Sequence, residues 1–385
     1  MNENEFISKR AGKLIWEPNG AYYRFEANYL PLKFTENPEL SAQAQKTIAA
    51  LSKLEGLTIG HTKKEIILFQ TPFMIKEAQL SSEIEGTRST ISDVLKEEKI
   101  EELDPERKLD NEEIRNYKKA LIWAIEEMPK EFTEEFIKNI HKKLLEGVRG
   151  YEKEPGEYKK FQNGIGRRED TLDSAKFIPA SPESTPKLMG NLIKYANKDA
   201  LSNLYKIAII HYQLEAIHPF RDGNGRLGRM FIVLELVKDK ILTHPLLYIS
   251  EYFTKNRETY IDLMYDVSSK GKIEEWIKFF LEALENQANK SLELLIKIKN
   301  YKQELYIKAD ILSNNSKIYK LINFLFEHPF INVKDIQDIL KVSQPTAWKL
   351  TNKLIEHRII KEVNTKSKKK IYVAYRVIDI LEGRE

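Results

Sequence analysis

Two mostly apolar helical stretches, residues 204–217 and 226–237, meet at the segment HPFRDGNGRLGR, residues 218–229. No other part of the chain is as chemically dense. Pro219 disfavours helical φ/ψ at His218, so the first helix is expected to end there and to project a titratable side chain from its terminus. Residues 222–225, DGNG, place glycines where backbone approaches a ligand closely or takes φ > 0, and their successive N–H groups suit an anion. This turn opens the second helix, where unpaired amides and the macrodipole favour negative charge. Arg226 and Arg229, three apart, share one helix face and are expected to clamp phosphate oxygens together. Asp222 is the only carboxylate in the loop and suits a hard cation such as Mg2+, held jointly with phosphates. The inventory is that of a site for a triphosphate and its metal.

The combination resembles the signature of the Fic family, HPFx[DE]GNGRxxR, with His218, Pro219, Phe220, Asp222, Gly223, Asn224, Gly225, Arg226 and Arg229 filling its positions. A second segment, SSEIEG at residues 81–86, reads by pattern as an amphipathic helix end closed by Gly86, with Ser81 and Glu85 on one face. It also resembles the inhibitory motif [ST]xxxE[GN] of Fic proteins, with Ser81, Glu85 and Gly86 matching. The resemblance implies a protein adenylyltransferase that moves AMP from ATP to a Ser, Thr or Tyr hydroxyl of a target protein, or of itself. His218 is then the general base, near its ordinary pKa of about 6.5. Asp222 holds Mg2+, and Gly223, Asn224, Gly225, Arg226, Leu227, Gly228 and Arg229 hold the nucleotide. Glu85 competes with the γ-phosphate for Arg229, and Ser81 anchors the inhibitory helix. The resemblance further implies a β-hairpin flap before the catalytic helix, with Asn163, Gly164, Ile165 and Gly166 at the nucleotide; Lys159 stands where arginine is common, and residues 167–176 look like an insertion. Tyr260 is expected to stack on the adenine. Two alternatives are a DNA-binding regulator with a nucleotide-sensing core and a de-adenylylating activity at the same site, with Glu85 activating water. His211, Glu215 and His218 also lie at metal-ligand spacing for Zn2+. That reading is less favoured, because it leaves the arginines and the anion-binding turn without a role.

Composition narrows the setting. The chain has 385 residues, enough for two or three domains, and its 42% hydrophobic content is ample for sizeable cores. It has no cysteine, which excludes disulfides and thiolate metal sites. No apolar run reaches the roughly 18 residues of a transmembrane helix, and residues 1–20 lack an apolar signal region. A cytoplasmic protein with no membrane partner is expected. The 62 basic and 58 acidic residues nearly cancel, so nucleic-acid binding has to rest on local clustering.

The expected fold is mainly all-α: a Fic helical bundle with a small β-hairpin flap, followed by a C-terminal winged-helix domain. Residues 1–40 read as an extended arm. Residues 41–57 read as a helix with Ile48, Leu51 and Leu54 on its apolar stripe, and residues 73–95 as the inhibitory helix, beginning after Pro72. The charge-dense residues 96–113 read as a solvated connection. The boundaries this suggests are an N-terminal region over 1–110, a catalytic core over 111–300 and the winged-helix domain over 313–385. In the last, helices at 317–326, 333–340 and 344–356 precede an alternating segment around TKSKKK that resembles a basic wing. Its helices are expected to form their own core. DNA through this domain, and a homodimer, are partners the sequence leaves open.

Overall fold

The computed structural model describes all residues except 19, 98, 100–103, 167–171, 173, 199–202, 313–315, 364–369 and 385. It is mainly helical. The N-terminal stretch is not an extended arm. Strands β1 (Gly12–Glu17) and β2 (Tyr22–Ala27) pair antiparallel, from Gly12 opposite Ala27 to Glu17 opposite Tyr22. The alternation that drives this pairing buries Phe25 completely and sets the Trp16 and Tyr23 rings edge to face at 4.9 Å.

Helix α1 (Pro38–Gly56) starts where the Asn37 side chain accepts from Leu40 N at 2.8 Å. Its buried stripe is Leu40, Ala44, Thr47, Leu51 and Leu54. Ile48, expected on that stripe, lies one residue off it, about 100° around the helix, and is 52% exposed. Helix α2 (Lys63–Ile84) begins ten residues before the position expected from Pro72, which sits inside it. A capping box between Thr62 and Glu65 nucleates the earlier start, and burial of Ile66, Leu68 and Phe69 outweighs the one backbone donor lost at Pro72. The helix also stops earlier than expected. Gly86, at φ +100°, turns the chain, and a separate helix α3 (Ile91–Glu97) follows.

Helices α4 (Pro105–Glu126) and α5 (Glu134–Leu144, capped by Thr133) pack together. The start of α4 was read as solvated, yet Asp110, Asn111 and Glu113 are buried. After the long connection come α6 (Thr185–Ala196), α7 (Asn203–Ile217) and α8 (Asn224–Lys238). Nearly all of α7 and α8 is buried, as expected of helices apolar on every side. They pack on one another at the centre of the core. Helices α9 (Ser250–Lys255), α10 (Arg257–Lys270) and α11 (Ile273–Leu312) close the bundle, and Trp276 Nε1 donates to Ala208 O on α7 at 2.8 Å. Helix α11 passes without interruption through residue 300, where the sequence reading ended the core.

The C-terminal region runs α12 (Ile318–Glu327), β3 (Phe330–Ile331), α13 (Val333–Leu340), α14 (Gln344–Glu356), β4 (Lys361–Val363), β5 (Ile371–Val373) and α15 (Tyr375–Glu382). Its antiparallel sheet has the order β3, β5, β4. The stretch expected as a basic wing lies largely outside the described residues. This region does not stand apart from the rest. Helix α12 packs on α2, α15 packs on α3 and α11, Lys99 Nζ meets Asp335 Oδ1 at 2.7 Å, and Ser92 N donates to Glu382 Oε1 at 3.1 Å. No helix among the described residues is long and apolar enough to cross a membrane.

Candidate nucleotide site

Helix α7 ends at Ile217, and His218 takes φ +50°. A non-glycine residue is held there only when its surroundings over-determine it. Phe220 is fully buried with its ring stacked on His141, centroids 3.8 Å apart. Asn224 closes the turn by accepting from Phe220 N at 2.9 Å and donating to Phe220 O at 2.8 Å. Gly223, at φ +73°, is the N-cap of α8 and donates its N–H to Asp222 Oδ1 at 2.7 Å. The loop therefore delivers the N-terminus of a buried helix, as the spacing predicted.

Arg229 and Arg226 meet different acids. Arg229 is 1% exposed; its Nε donates to Ser81 Oγ and its Nη2 to Ser81 O, both at 2.9 Å, and Nη2 also reaches Glu85 Oε1 at 2.6 Å. Burial opposes the guanidinium charge, but Glu85 outweighs it and raises the Arg229 pKa further. The surrounding protein likewise opposes ionisation of the Glu85 carboxylate, although its side chain is partly exposed, and Arg229 outweighs it, holding the carboxyl below the usual range. Arg226 lies instead between Glu113, at 3.7 Å, and Asp222, at 3.6 Å, with its Nε and Nη1 making no hydrogen bond among the described residues. The expected common clamp of Arg226 and Arg229 is thus divided, because Glu85 holds one of the pair.

Asp222 keeps its ionised form. Burial works against it, but Lys153 at 2.8 Å and the nearby Arg226 hold its carboxyl below the usual range. The donor set is one carboxylate with hard oxygens, and no group of three or more His, Cys, Asp or Glu side chains able to hold a metal occurs among the described residues. That set fits Mg2+, which commonly takes one or two carboxylates and completes its shell with substrate phosphates and water. It does not fit a resident Zn2+. The alternative metal face fails in the same terms: His211 Nε2 bonds the Tyr260 hydroxyl at 2.8 Å within stacked aromatics.

His218 departs from its expected pKa. Burial first, then the nearby Lys159 ammonium, push the imidazole down to about 4, so it is neutral at neutral pH. Its Nδ1 faces Glu215 Oε2 at 3.7 Å. His141 is pushed down to about 4 by burial, and its ring accepts from Gly156 N at Nδ1, which leaves Nε2 to donate to Asp222 O at 2.8 Å.

Three side chains expected at the nucleotide are engaged by the protein itself. Tyr260 is 3% exposed and stacks on Phe253 at 4.4 Å, so its ring is core and offers no open face to a base. Asn163 spends its amide on His218 O, at 3.2 Å, and Phe220 O, at 2.9 Å. The Asn224 side chain is spent on Phe220 in the same way. Of the rest of the flap segment, Ile165 pairs antiparallel with Phe177, Gly164 packs so closely that a Cβ would stand 2.7 Å from Ala175, and Gly166 is exposed. Most of the expected insertion lies outside the described residues. Within α8, Leu227 is fully buried core, and at Gly228 a Cβ would stand 2.6 Å from Glu215 Oε1.

The sequence reading missed an acidic cluster behind Arg226. Arg149 binds Asp110 and Glu113, Thr87 Oγ1 donates to Glu113 Oε2 at 3.0 Å, and Arg88 N donates to Asp110 Oδ2 at 2.8 Å. The chain just beyond Glu85 is thereby tied to the acids that face Arg226. The available signal was spacing: Asp110, Glu113 and Tyr117 share a helix face. Glu77 was missed too. It is fully buried, bonds Ser250 N at 3.0 Å and Ser250 Oγ at 2.5 Å, and anchors α2 two turns before Glu85.

A helical bundle that brings a neutral imidazole, a helix N-terminus and two buried arginines to one loop is suited to an anionic ligand. Residues 131–236 match the Fic/DOC family and residues 41–126 match the Fic/DOC family N-terminal region. The chain thus carries a Fic/DOC family domain preceded by the family's N-terminal region. It is 31% identical over 102 residues to a probable protein adenylyltransferase of Aquifex aeolicus, covering 26% of this chain and 29% of that protein. It is 26% identical over 169 residues to the protein adenylyltransferase Fic of Drosophila erecta, covering 43% of this chain and 30% of that protein. The matched stretches thus span under a third of these curated relatives. A Fic family protein from Desulfovibrio desulfuricans shares the fold at TM-score 0.57 and 22% identity, over 90% of this chain and 98% of that one. Fic-1 of Caenorhabditis elegans, residues 134–508, does so at TM-score 0.53 and 18% identity, over 69% of this chain and 75% of that one.

Proposed function

We propose that this chain is a protein adenylyltransferase that moves AMP from ATP to a Ser, Thr or Tyr hydroxyl of a protein. The observation that carries the reading is the junction of α7 and α8, where a neutral imidazole leads directly into an anion-binding turn backed by Arg226 and Arg229. The target hydroxyl gives its proton to His218, its oxygen bonds the α-phosphorus, and the bond to the β-phosphate oxygen breaks to release pyrophosphate. The α8 N-terminus and Arg226 stabilise the charge that builds on the phosphates, and Arg229 holds the γ-phosphate once freed from Glu85. Asp222 is the residue that would hold Mg2+, which supplies charge neutralisation between the phosphates. Glu85 is an intramolecular inhibitor on this reading, because its carboxylate occupies the guanidinium the γ-phosphate needs. The de-adenylylating alternative draws no support from an observation that the transferase reading leaves unused.

The test uses the full chain carrying Glu85→Gly and ATP labelled at the α-phosphate. Protein-linked label is expected, while label at the γ-phosphate stays with pyrophosphate. A folded variant that binds ATP and links no α-label to protein overturns the reading.

We also read residues 313–385 as a winged helix, from the element order and the three-stranded sheet of its described residues, in a cytoplasmic protein. The exposed face of α14 carries Trp348, Lys349 and Asn352, groups suited to stacking and to phosphate or base-edge contact. Retention of labelled duplex DNA by the full chain, lost on Lys349→Glu, tests DNA as its partner.

A further inference from the structure

The last turn of a helix leaves carbonyls without intrahelical partners, and at the end of α7 these run straight into the loop that carries His218. Two residues, four apart on the irregular segment that leads into and begins the flap, take four consecutive carbonyls. Lys159 Nζ donates to Ile217 O at 3.0 Å, Asn163 Nδ2 to His218 O at 3.2 Å, Lys159 N to Pro219 O at 2.8 Å, and Asn163 Nδ2 again to Phe220 O at 2.9 Å. The two are locked to each other by Lys159 Nζ donating to Asn163 Oδ1 at 2.8 Å.

Lys159 is 3% exposed and makes no ion pair with a carboxylate among the described residues. Burying an ammonium without a counter-charge is costly, and an apolar chain of similar length would fill the slot without that cost. What the ammonium adds is donors aimed at Ile217 O and Asn163. The peptide they brace is the one that holds His218 at φ +50°, a conformation that persists only where its surroundings enforce it.

Resting on the transferase reading above, we propose that Lys159 and Asn163 are positioning residues that hold His218 where its imidazole meets the target hydroxyl. They touch neither hydroxyl nor phosphate. Their effect falls on turnover and leaves nucleotide binding alone, because α8, Arg226 and Arg229 do not depend on them. The ammonium also lowers the basicity of the imidazole it braces, against the opposing charges of Glu85 and Asp222 and a hydrogen bond with the Glu215 backbone. Burial and then Arg24 on β2 push Lys159 itself down to about 7, with Glu26 opposing.

The experiment compares Lys159→Met, Lys159→Arg and Asn163→Ala in the full chain with Glu85→Gly as the parent. Two readouts are taken: steady-state AMP transfer with ATP binding measured separately, and the ring-nitrogen NMR titration of His218, which needs no turnover. Lys159→Met and Asn163→Ala are expected to lower kcat about 10- to 100-fold, the scale of a misplacement near 1 Å, with ATP affinity within about twofold of the parent. Lys159→Arg, which restores donors, is expected to keep most of the turnover. In Lys159→Met the His218 titration should move upward from about 4, since a neighbouring positive charge has gone. A folded Lys159→Met that turns over at the parent rate, or that loses ATP affinity in parallel with kcat, overturns the inference. A parent that binds ATP and titrates normally yet transfers no AMP overturns the transferase reading instead, and the His218 titration then decides the positioning role alone.

Discussion

Glu85 Oε1 lies 2.6 Å from Arg229 Nη2, and the same oxygen occupies the space a Cβ on Gly225 would need. The carboxylate therefore rests against the first turn of α8, where a phosphate would be bound. Nε and Nη2 of Arg229 are taken up by this contact together with Ser81. Since Glu85 is 42% exposed at its side chain while Arg229 is enclosed, the carboxylate is the partner free to leave.

Removal of that carboxylate should release the arginine for the γ-phosphate. Glu85→Gly is expected to raise AMP transfer about 10- to 100-fold, because alignment of the α-phosphorus is worth that much. Arg229→Ala in the same background should abolish the gain. Transfer measured with labelled ATP checks both, and a folded Glu85→Gly no faster than wild type would show that the pair has no inhibitory role.

With its imidazole pushed down to about 4, His218 stays neutral from pH 5 to 8. As pH falls through the folded pKa the ring gains a proton and stops accepting one, so the acid limb of kcat/KM should lie near pH 4. His218→Ala should abolish transfer and leave Mg·ATP binding largely intact. An acid limb at pH 6.5 would mean that the ring is solvated during turnover and that burial does not set its basicity.

His141 predicts a stability effect. Its folded pKa of about 4 lies below the unfolded value near 6.5, so the unfolded state takes up a proton first as pH falls. The stability it contributes is complete above about pH 6.5 and is lost progressively toward pH 4. His211, pushed down to about 3, acts with the same sign. Melting temperatures between pH 7.5 and 5 should fall less steeply in His141→Asn than in wild type; equal slopes would rule out this source.

Deletion of residues 316–385 tests whether the C-terminal region is independent, as its own helices first suggested. The faces of α2, α3 and α11 that it covers would be exposed, and α3 would lose the bond from Ser92 N to Glu382. A Tm several degrees lower and a faster basal transfer are expected, since α3 follows Glu85 by only a short turn. A truncated chain with the Tm and basal rate of the full protein would restore the independent reading.

Much of the site was legible in short-range pattern. A proline after His218, a glycine able to take φ +73° at position 223 and an apolar run behind Arg226 are enough to specify a helix end, a turn and a new helix, because each acts on its own backbone. Gly86 ended α2 for the same reason. Periodicity fared less well where the register was off by one, as at Ile48, or where a proline masked a capping box, as at Pro72.

Pairings and desolvation belong to the tertiary structure. Glu85 and Arg229 are 144 residues apart, and the spacing of either motif alone says nothing of whether they meet. That the amides of Asn163 and Asn224 bond carbonyls of the loop, and that Tyr260 stacks on Phe253, follows from no local spacing. Asp110 and Glu113 read as solvated until Arg149 buried them. The basicity of His218 follows the same rule: residue type sets the starting value, but burial and the ammonium of Lys159 set the shift, and both exist only once the helices have packed.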